Sequence, residues 1–513
     1  MIRRALISVY DKTALEPFAR GLHGLGVELV ASGGTAAHLV ELGLPVTEVS
    51  ELTRYPEMMG GRVKTLHPRI HGAILARRER EDDVASLREH EIDPIDLVCV
   101  NLYPFESVAY RKDTREEQAV EMIDVGGPAM LRAAAKNFVH VVAICSPEQY
   151  GFVLDELERQ GEISLESRRI LAAEAFAHTA AYEATIANWF AEREAFPDAI
   201  VVPLEKVADL SYGENPHQRA AYYAERGARR HLLSRVEQVN GKALSFNNLN
   251  DLSSARRIVE EFALPACVIV KHANPCGVAV AGTIEDAYAR ALASDPVSAF
   301  GGIVALNRPV EKGLAESLVK QFVEVLLAPG YADDALELLR TKEAMRVLDN
   351  RERRRTAPGE RDLRRVIGGI LVQDADSDVD ERDGMEVVTS RQPDEQTWGD
   401  LAFAWRVCKH VLSNAIVLAT DLATIGVGAG QMSRVDAVRI AIEKAQEHGH
   451  SVEGAVLASD AFFPFPDGPL LALEHGVKAI IQPGGSKRDP DVIEAVEHGG
   501  ASMVFTHRRH FRH

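Results

Sequence analysis

The first 150 residues show a regular alternation of short apolar runs and helical patterns, which restricts the fold more than any other pattern in the chain. The runs at residues 5–9, 27–31, 95–100 and 139–144 have the length and composition of buried strands, and helical patterns lie between them. Strands that alternate with helices predict a parallel sheet with helices covering its faces. The first part of the chain is therefore predicted to be an α/β domain.

The same alternation returns after residue 250, with predicted strands at 268–270, 302–306, 424–427, 454–458 and 478–481. A long alanine-rich helical pattern at residues 164–194, followed by Phe196-Pro197-Asp198, separates the two parts, so we predict a domain boundary at 198/199. Several strands of the second part end in similar polar corners, such as residues 459–465 and 482–485, which suggests two related subdomains. An acidic segment at residues 374–386 is more typical of a solvated loop or helix face than of a site.

Net charge and cysteine content limit the classes of partner. The 513 residues carry a net charge of -18, which argues against a broad nucleic-acid footprint or an anionic membrane surface. This net charge does not exclude small phosphorylated ligands, because binding them needs only local basic residues and backbone N–H groups. The five cysteines form no C-x-x-C pair and predict reduced thiols in a cytoplasm. No uncharged apolar run approaches the length of a membrane span.

The stretch K-H-A-N-P-C-G, residues 271–277, directly follows the apolar run 266–270. Asn-Pro is expected to stop the strand there, because proline cannot donate to a sheet ladder. In open α/β sheets the carboxyl ends of strands bind ligands, which makes Lys271 and His272 candidate site residues. The alternative is a strand end that carries two solvated polar residues.

The first domain has several loops rich in glycine and functional side chains. Ser32-Gly33-Gly34-Thr35 lies between a strand and a helix and suits a phosphate, although an ordinary helix cap has the same composition. G-G-R-V-K-T-L-H-P, residues 60–68, brings together two cations, a hydroxyl and a histidine. Asp124-Val125-Gly126-Gly127-Pro128 precedes a helix whose N-terminus would face an anion. Lysine, tyrosine and aspartate at strand ends are suited to proton transfer.

Taken in order, these motifs resemble the bifunctional purine biosynthesis enzymes that combine phosphoribosylaminoimidazolecarboxamide (AICAR) formyltransferase with IMP cyclohydrolase. The first-domain motifs are S-V-Y-D-K-T (8–13), S-G-G-T, G-G-R-V-K-T-L-H-P, N-L-Y-P-F, D-V-G-G and R-A-A-A-K-N. The second-domain motifs are Y-G-E-N-P-H-Q (212–218), K-H-A-N-P-C-G, S-A-F-G (298–301), G-A-G-Q-M-S-R (428–434) and S-D-A-F-F-P-F. The resemblance covers nearly the whole chain.

The resemblance implies a fold and two activities. Residues 1–198 would form the IMP cyclohydrolase domain, with a methylglyoxal-synthase-like core over about residues 1–147 and helices after it. Residues 199–513 would form the formyltransferase domain, a pair of cytidine-deaminase-like α/β subdomains. A formyl group would pass from 10-formyltetrahydrofolate, as co-substrate, to the 5-amine of AICAR, and the product would close to IMP with loss of water. A cytoplasmic homodimer, with a monovalent cation such as potassium, is also implied.

In the second domain, the family pattern makes His272 the proton-handling residue and Lys271 its partner. The 5-amine is a poor nucleophile, so transfer needs a neutral imidazole as proton acceptor and a cation for developing charge. Asn414 and His513 match further catalytic positions. The resemblance implies that Arg434 and Phe462 lie closer to the folate and that Arg509 helps to hold the phosphate. The matching substrate-binding positions are Tyr212, Asn240, Phe300, Gly301, Glu324, Gln431, Arg434, Phe462 and Arg509.

In the first domain, the resemblance places Lys64 at the reacting groups. It assigns Tyr103, Asp124 and Lys136 to proton transfer. The matching nucleotide-binding positions are Ser8, Lys12, Ser32, Gly34, Thr35, Arg62, Thr65, Asn101, Gly126 and Gly127. Because ring closure is intramolecular, correct positioning alone can supply much of the rate.

One position departs from the family, and two alternative functions stay open. Ser211 stands where the family usually has an arginine that holds the AICAR phosphate. A zinc deaminase is the nearest enzymatic alternative, but its P-C-x-x-C pair is broken because position 279 is alanine, so no zinc is expected. The other alternative is a formyltransferase whose N-terminal domain only senses a phosphorylated ligand.

Overall fold

The computed structural model describes residues 2–111, 113–192, 194–226, 233–351, 360–378 and 381–513. The chain forms two compact units, one made mainly of residues up to Glu205 and the other mainly of residues from Lys206 onward. The assignment of separate activities to residues 1–198 and 199–513 stays a prediction. Within the described ranges, no helix combines the length and the apolar character that crossing a membrane requires.

The first unit is built on a five-stranded parallel sheet. Its strands are β1 (Arg4–Val9), β2 (Glu28–Ala31), β3 (Thr47–Glu48), β4 (Leu97–Asn101) and β5 (Val142–Ile144). Its helices are α1 (Leu15–Gly24), α2 (Gly33–Glu41), α3 (Val49–Thr53), α4 (Pro68–Leu75), α5 (Glu81–Glu89), α6 (Phe105–Ala109), α7 (Glu116–Glu121), α8 (Gly126–Lys136), α9 (Gln149–Gln160) and α10 (Leu165–Ala191). The strand order is β3-β2-β1-β4-β5, and every pair is parallel, as predicted.

Both faces of this sheet are buried, which explains why its strands are almost uniformly apolar. One apolar core includes residues of α1, α2 and α9, and the other includes residues of α4, α8 and α10. In chain order the strands run outward from β1 through β2 to β3, and then resume on the other side of β1 with β4. Ligands bind at such a reversal, beyond the carboxyl ends of the strands, so the crevice beyond β1 and β4 is the expected site.

The second unit contains a twelve-stranded mixed sheet and small two-stranded sheets. The strands from Leu204 onward are β6 (Leu204–Leu210), β7 (Ala220–Glu225), β8 (Glu237–Asn240), β9 (Ala266–Lys271), β10 (Asn274–Val280), β11 (Gly302–Leu306), β12 (Val323–Ala328), β13 (Arg346–Asp349), β14 (Arg361–Val366), β15 (Gly369–Asp374), β16 (Glu386–Val387), β17 (Ile416–Thr420), β18 (Ala423–Gly428), β19 (Val456–Ser459), β20 (Ala479–Gln482) and β21 (Ser502–Phe505). The helices are α11 (Phe246–Val259), α12 (Ile284–Ser294), α13 (Lys312–Leu318), α14 (Asp333–Arg340), α15 (Glu395–Cys408), α16 (Arg434–Glu447), α17 (Asp467–Glu474) and α18 (Asp489–His498).

The large sheet is an internal duplication, as the sequence suggested. Its order is β16-β21-β20-β19-β17-β18-β10-β9-β11-β12-β13-β8, and the two halves meet where β10 pairs antiparallel with β18. In each half a hairpin (β9–β10 or β17–β18) is followed by an antiparallel neighbour and then by two strands parallel to that neighbour. α11 and α15 contribute to the apolar core on one face, and the other helices of the two halves pack on the opposite face.

The structure corrects the prediction that Asn-Pro ends the strand after Val270. The strand ends at Lys271, and His272 and Ala273 form a two-residue turn with φ of 52° and 62°. Asn274 and Pro275 begin β10, and a register shift between Pro275 and Gly277 accommodates the proline. The motif is therefore a β-hairpin, in which two left-handed residues match the twist of the strands.

Candidate active sites

In the first unit, the side chain of Asn101 joins the carboxyl ends of β1 and β4. Its Oδ1 accepts the N–H groups of Tyr10 (2.6 Å) and Asp11 (2.9 Å), and its Nδ2 donates to the Asp11 carbonyl (2.8 Å). The rings of Tyr10 and Tyr103 pack edge to face with centroids 5.8 Å apart. The Asn101 side chain thus connects the loops that follow β1 and β4, because both ends of its amide group hydrogen-bond the backbone of Tyr10 and Asp11.

The N-terminus of α2 is fastened beside the end of β1. Thr35 is 4% exposed, and its Oγ1 accepts the Val9 N–H (3.0 Å) and donates to the Val9 carbonyl (3.1 Å). Gly34 is exposed, so backbone at this helix end is open to a ligand. Gly33 has a φ of +52°, and a Cβ there would lie 2.7 Å from the Lys64 ammonium. The glycine lets Lys64 lie directly over the start of α2.

Lys64 borders a cavity of about 130 Å³, which Ser32 and His67 also line. Its ammonium lies 3.1 Å from Glu57 Oε2, and the lysine side chain is 24% exposed. A cation held between a carboxylate and a helix N-terminus is partly shielded from water and available to a substrate oxygen. Glu57 lies outside every motif quoted above and was missed from the sequence.

Tyr103 and Asp124 lie close enough to influence each other. Burial raises the pKa of Asp124, and burial, followed by the charges of Asp124 and Glu57, raises the pKa of Tyr103. The Asp124 carboxylate accepts the Gly127 N–H (2.8 Å). A side chain at Gly127 would clash with this carboxylate, and one at Gly126 would approach Thr65 Oγ1 to 2.6 Å. The two glycines therefore let α8 begin directly against the site.

Three residues assigned to this site lie at exposed positions. Lys136 is exposed at the last position of α8, about 15 Å along the helix axis from Gly126, so the structure does not bring it to Asp124. Arg62 is exposed and forms an ion pair with Glu121. Lys12 is exposed just after β1, whereas Ser8 is half-buried within that strand. Within one chain Lys136 therefore lies apart from Asp124, and its assignment to proton transfer stays a prediction.

In the second unit, the predicted residues gather along one edge of the twelve-stranded sheet. This edge contains the carboxyl ends of β8, β9, β18, β19, β20 and β21 and the amino ends of β10, β11, β12, β13, β16 and β17. Predicted residues within or just beyond these strand ends are Asn240, Lys271, His272, Phe300, Gly301, Glu324, Asn414, Gln431, Arg434, Phe462, Arg509 and His513. Antiparallel pairing thus brings together segments that are distant in the chain.

Lys271 and His272 differ in how they are held. The Lys271 ammonium donates to the carbonyls of Phe300 and Gly301, both at 3.0 Å. His272 is exposed at the tip of the hairpin, where its N–H donates to Asp251 Oδ2 (3.2 Å) and the Ala273 N–H donates to Asp251 Oδ1 (2.7 Å). Asp251 lies in α11 and was missed, because no local pattern links it to the hairpin.

Asn414 lies in a buried polar cluster. Its Oδ1 accepts from the Arg434 guanidinium (2.7 Å), and its Nδ2 donates to the Gln431 carbonyl (2.8 Å). Arg434 also pairs with Asp460, which is fully buried, and the Ser413 hydroxyl hydrogen-bonds the same carboxylate. Asp460 was missed although it lies within S-D-A-F-F-P-F. Phe462, two residues further on, is 37% exposed.

The remaining predicted residues lie toward the other end of the edge. Asn240 Nδ2 donates to the Met345 carbonyl (3.0 Å), and Glu324 Oε1 accepts from Asn248 Nδ2 (3.0 Å). The Tyr212 carbonyl accepts the Phe246 N–H (3.2 Å). β8 lies four strand spacings, about 19 Å, from β9, and seven spacings, about 34 Å, from β17. In one chain, Asn240 is therefore too far from Asn414 for one small molecule to contact both.

Comparisons with known proteins agree with the motifs. A family model described as "MGS-like domain" matches residues 14–129, and one described as "AICARFT/IMPCHase bienzyme" matches residues 134–444. The bifunctional purine biosynthesis protein PurH of Bacillus mycoides (strain KBAB4) is 49% identical over 515 residues, covering 100% of both chains. The crystal structure of ForH is 40% identical over 37% of this chain and 100% of that chain, with a TM-score of 0.33.

The MGS-like match confirms the fold predicted for the first domain. Among the described residues, no group of three or more His, Cys, Asp and Glu side chains is arranged to hold a metal ion. The full-length similarity and the family-model match over more than half of the chain establish its family. The chain belongs to the AICARFT/IMPCHase bienzyme family.

Proposed function

We propose that this chain transfers a formyl group from 10-formyltetrahydrofolate to AICAR in its second unit and closes formyl-AICAR to IMP in its first. The family establishes the two activities, and the proposal assigns them to sites. The observation that carries the assignment is the pairing of an exposed imidazole, His272, with an adjacent ammonium, Lys271, that backbone carbonyls hold in place.

For formyl transfer, His272 accepts a proton from the 5-amine as that nitrogen attacks the formyl carbon. An ammonium has three donors, and Lys271 uses two of them on the Phe300 and Gly301 carbonyls. The third is free to stabilise negative charge on the formyl oxygen. The C–N bond to the folate N10 then breaks, and N10 takes up a proton. Arg434 and Asn414 are hydrogen-bonded to each other beside the neighbouring strand ends. In this proposal they orient the folate.

For cyclisation, the carboxamide nitrogen attacks the formyl carbon and water leaves. Lys64 stabilises the developing charge on the formyl oxygen from its place over the N-terminus of α2. Tyr103 and Asp124 exchange the protons that convert this oxygen into water. Burial raises the pKa of Asp124, so this carboxyl keeps a proton to higher pH than a free one, which suits a group that must protonate the leaving oxygen. This proton-transfer set omits Lys136.

The predicted homodimer follows as part of the same proposal. Asn240 and Asn414 lie about 34 Å apart along the sheet edge, yet both match positions that contact the same substrates. Two chains that each contribute one end of the edge would bring the two groups to one nucleotide. Sedimentation together with mixing of an Asn240→Ala and an Asn414→Ala variant tests this, because shared sites predict partial recovery of transfer in the mixture. A fully active monomer would contradict it.

The division of labour is tested by incubating the protein with AICAR and 10-formyltetrahydrofolate and separating the products. The parent chain is expected to yield IMP. Lys64→Ala is expected to accumulate formyl-AICAR, because transfer continues while closure fails. Unchanged IMP formation in Lys64→Ala would overturn the assignment, and ring closure by a Lys271→Ala variant given formyl-AICAR supplies the matched control. Loss of ring closure in Lys64→Ala would also oppose the alternative in which the first unit only senses a ligand.

A further inference from the structure

The C-terminal tail, residues 506–513, is held at its centre. Chain ends usually fray, but His510 is only 2% exposed. The His510 ring packs against Trp405 with centroids 5.1 Å apart, and the His510 backbone N–H donates to the Asp460 backbone carbonyl (3.1 Å). Arg509 and His513, on either side of it, are exposed. The tail thus presents two site residues from a buried anchor.

The acidic segment 374–386, which was expected to be solvated, holds His510 in place. Residues 379–380 of this segment lie outside the described ranges. His510 Nδ1 lies 2.5 Å from Asp376 Oδ2. Burial on its own would raise the pKa of Asp376, but the hydrogen bond and charge of His510, with the charge of Lys409, lower it below its usual value. Asp376 is therefore an ionised carboxylate paired with an almost fully buried imidazole.

Lys409 and His410 connect this pair to the rest of the sheet edge. The Lys409 ammonium donates to the Asp378 carbonyl (2.7 Å) and lies 3.6 Å from Glu261 Oε1 and 3.9 Å from Asp376 Oδ1. His410 Nε2 lies 2.8 Å from the same Glu261 oxygen. We call the five side chains together the tail clasp; they are Glu261, Asp376, Lys409, His410 and His510.

Hydrogen bonds connect the tail clasp to the proposed formyltransferase site. The Arg512 guanidinium donates to the His410 carbonyl (2.7 Å), and the Arg512 carbonyl accepts the Ser413 N–H (2.8 Å). The Leu412 N–H donates to Asn274 Oδ1 (2.9 Å), on the hairpin that carries His272. The tail, the segment before Asn414 and the His272 hairpin therefore hold one another through hydrogen bonds.

We infer that Asp376 is a positioning residue for formyl transfer, which holds His510 so that the tail presents Arg509 and His513 to the substrates. This inference rests on the proposed function of the second unit. Asp376 acts through His510 and is not assigned a contact with substrate. A residue placed this way is expected to affect formyl transfer while leaving cyclisation in the other unit unchanged.

The test compares three variants. Asp376→Ala removes the carboxylate, and Asp376→Asn keeps an oxygen that accepts from His510 Nδ1. Asp378→Ala is the matched control: its side chain pairs with Arg508 at 2.9 Å, both more than half exposed, and its backbone bond to Lys409 survives. We expect Asp376→Ala to lower kcat for formyl transfer by roughly 10- to 100-fold and to raise KM for AICAR, because 1 Å misplacements have effects of this size. Asp376→Asn should recover most of the lost kcat for formyl transfer. In Asp378→Ala this kcat should stay within about twofold of the parent value.

A second measurement does not depend on activity. Release of C-terminal residues by carboxypeptidase, followed by mass spectrometry, should be faster in Asp376→Ala than in the parent and unchanged in Asp378→Ala. Equal tail release and equal transfer in Asp376→Ala would overturn the inference. Loss of both activities in Asp376→Ala, without recovery in Asp376→Asn, would also overturn it, because it would show general destabilisation. A parent chain that lacks formyl transfer would instead refute the proposed function, whatever the tail release shows.

Discussion

The two halves of the twelve-stranded sheet have the same architecture but different chemistry. α11 and α15 are both 14 residues long, and each begins after a residue whose side chain caps the helix, Ser245 or Asp394. In each half an aspartate of this helix accepts a backbone N–H from the hairpin turn: Asp251 from Ala273, and Asp400 from Leu422 (2.8 Å). Both turns have two left-handed residues.

The difference lies in what occupies and surrounds the turn. The first hairpin has Lys271 at the end of its first strand and His272 in its turn, whereas the second has Thr420 and Asp421 at the equivalent positions. Asp421 is engaged by neighbours, since its carbonyl accepts from the Arg290 guanidinium and its Oδ1 from Gln396 Nε2 (2.8 Å). The scaffold therefore does not dictate chemistry. Two side chains at equivalent positions distinguish a hairpin with a proposed catalytic role from one with a structural role.

The largest expected effect tests this contrast directly. His272→Ala should lower formyl transfer by 10²–10⁴-fold, about 3–5 kcal/mol, because the proton acceptor is lost, while cyclisation of supplied formyl-AICAR continues. Asp421→Ala, the equivalent change in the other half, should leave transfer nearly unchanged. Steady-state assays of both reactions measure this. Equal losses of transfer in the two variants would show that the hairpins do not differ in function.

A smaller effect should be shared by the two halves. A Cβ at Gly277 would collide with the Ala291 carbonyl, and one at Gly426 would collide with the Ala441 carbonyl, because α12 and α16 approach the sheet closely at equivalent points. Gly277→Ala and Gly426→Ala should each lower the free energy of unfolding by about 1–3 kcal/mol. Chemical denaturation measures this, and a large difference between the variants would break the structural equivalence.

The aspartates that support the turns should separate stability from activity. Asp251→Ala should lower formyl transfer about tenfold, about 1.4 kcal/mol in the barrier, by releasing the His272 turn. Asp400 is 2% exposed, and Asp400→Ala should cost about 1–2 kcal/mol of unfolding free energy by leaving the Leu422 N–H without its acceptor. It should leave kcat for transfer near the parent value. Kinetic and denaturation measurements on both variants check this. If Asp400→Ala lowered transfer and Asp251→Ala did not, the chemistry would lie in the other half of the sheet.

The smallest expected effect concerns Ser211, which is exposed and donates its N–H to the Leu244 carbonyl (3.2 Å). Ser211→Arg should lower KM for AICAR a few-fold, because a guanidinium can bind a phosphate through two hydrogen bonds. Ser211→Lys is the matched control and should give less, since an ammonium lacks that geometry. An unchanged or higher KM in Ser211→Arg would mean that the phosphate is already fully held elsewhere.

Local pattern alone was sufficient for much of this fold. The strand at Gly302–Leu306 lies where it was predicted, and the parallel sheet of the first unit follows from its alternation of apolar runs and helices. α11 begins at Phe246, after a capping box between Ser245 and Asn248, and the polar residues of its first turns give no clear helical pattern in the sequence. The motifs also named the hairpin residues Lys271 and His272, since they lie within one short stretch.

The secondary-structure elements, the family and the residue types that the chemistry requires can be read from the amino-acid sequence. Which of these residues come into contact depends on how the chain packs. Glu57 reaches Lys64 seven positions away, Asp251 supports His272 at a separation of 21 positions, and Asp376 holds His510 at a separation of 134. Conversely, Lys136 lies a helix length from Asp124 although twelve positions separate them. Strand pairing and helix direction set these distances, and neither is encoded in a local pattern of side chains.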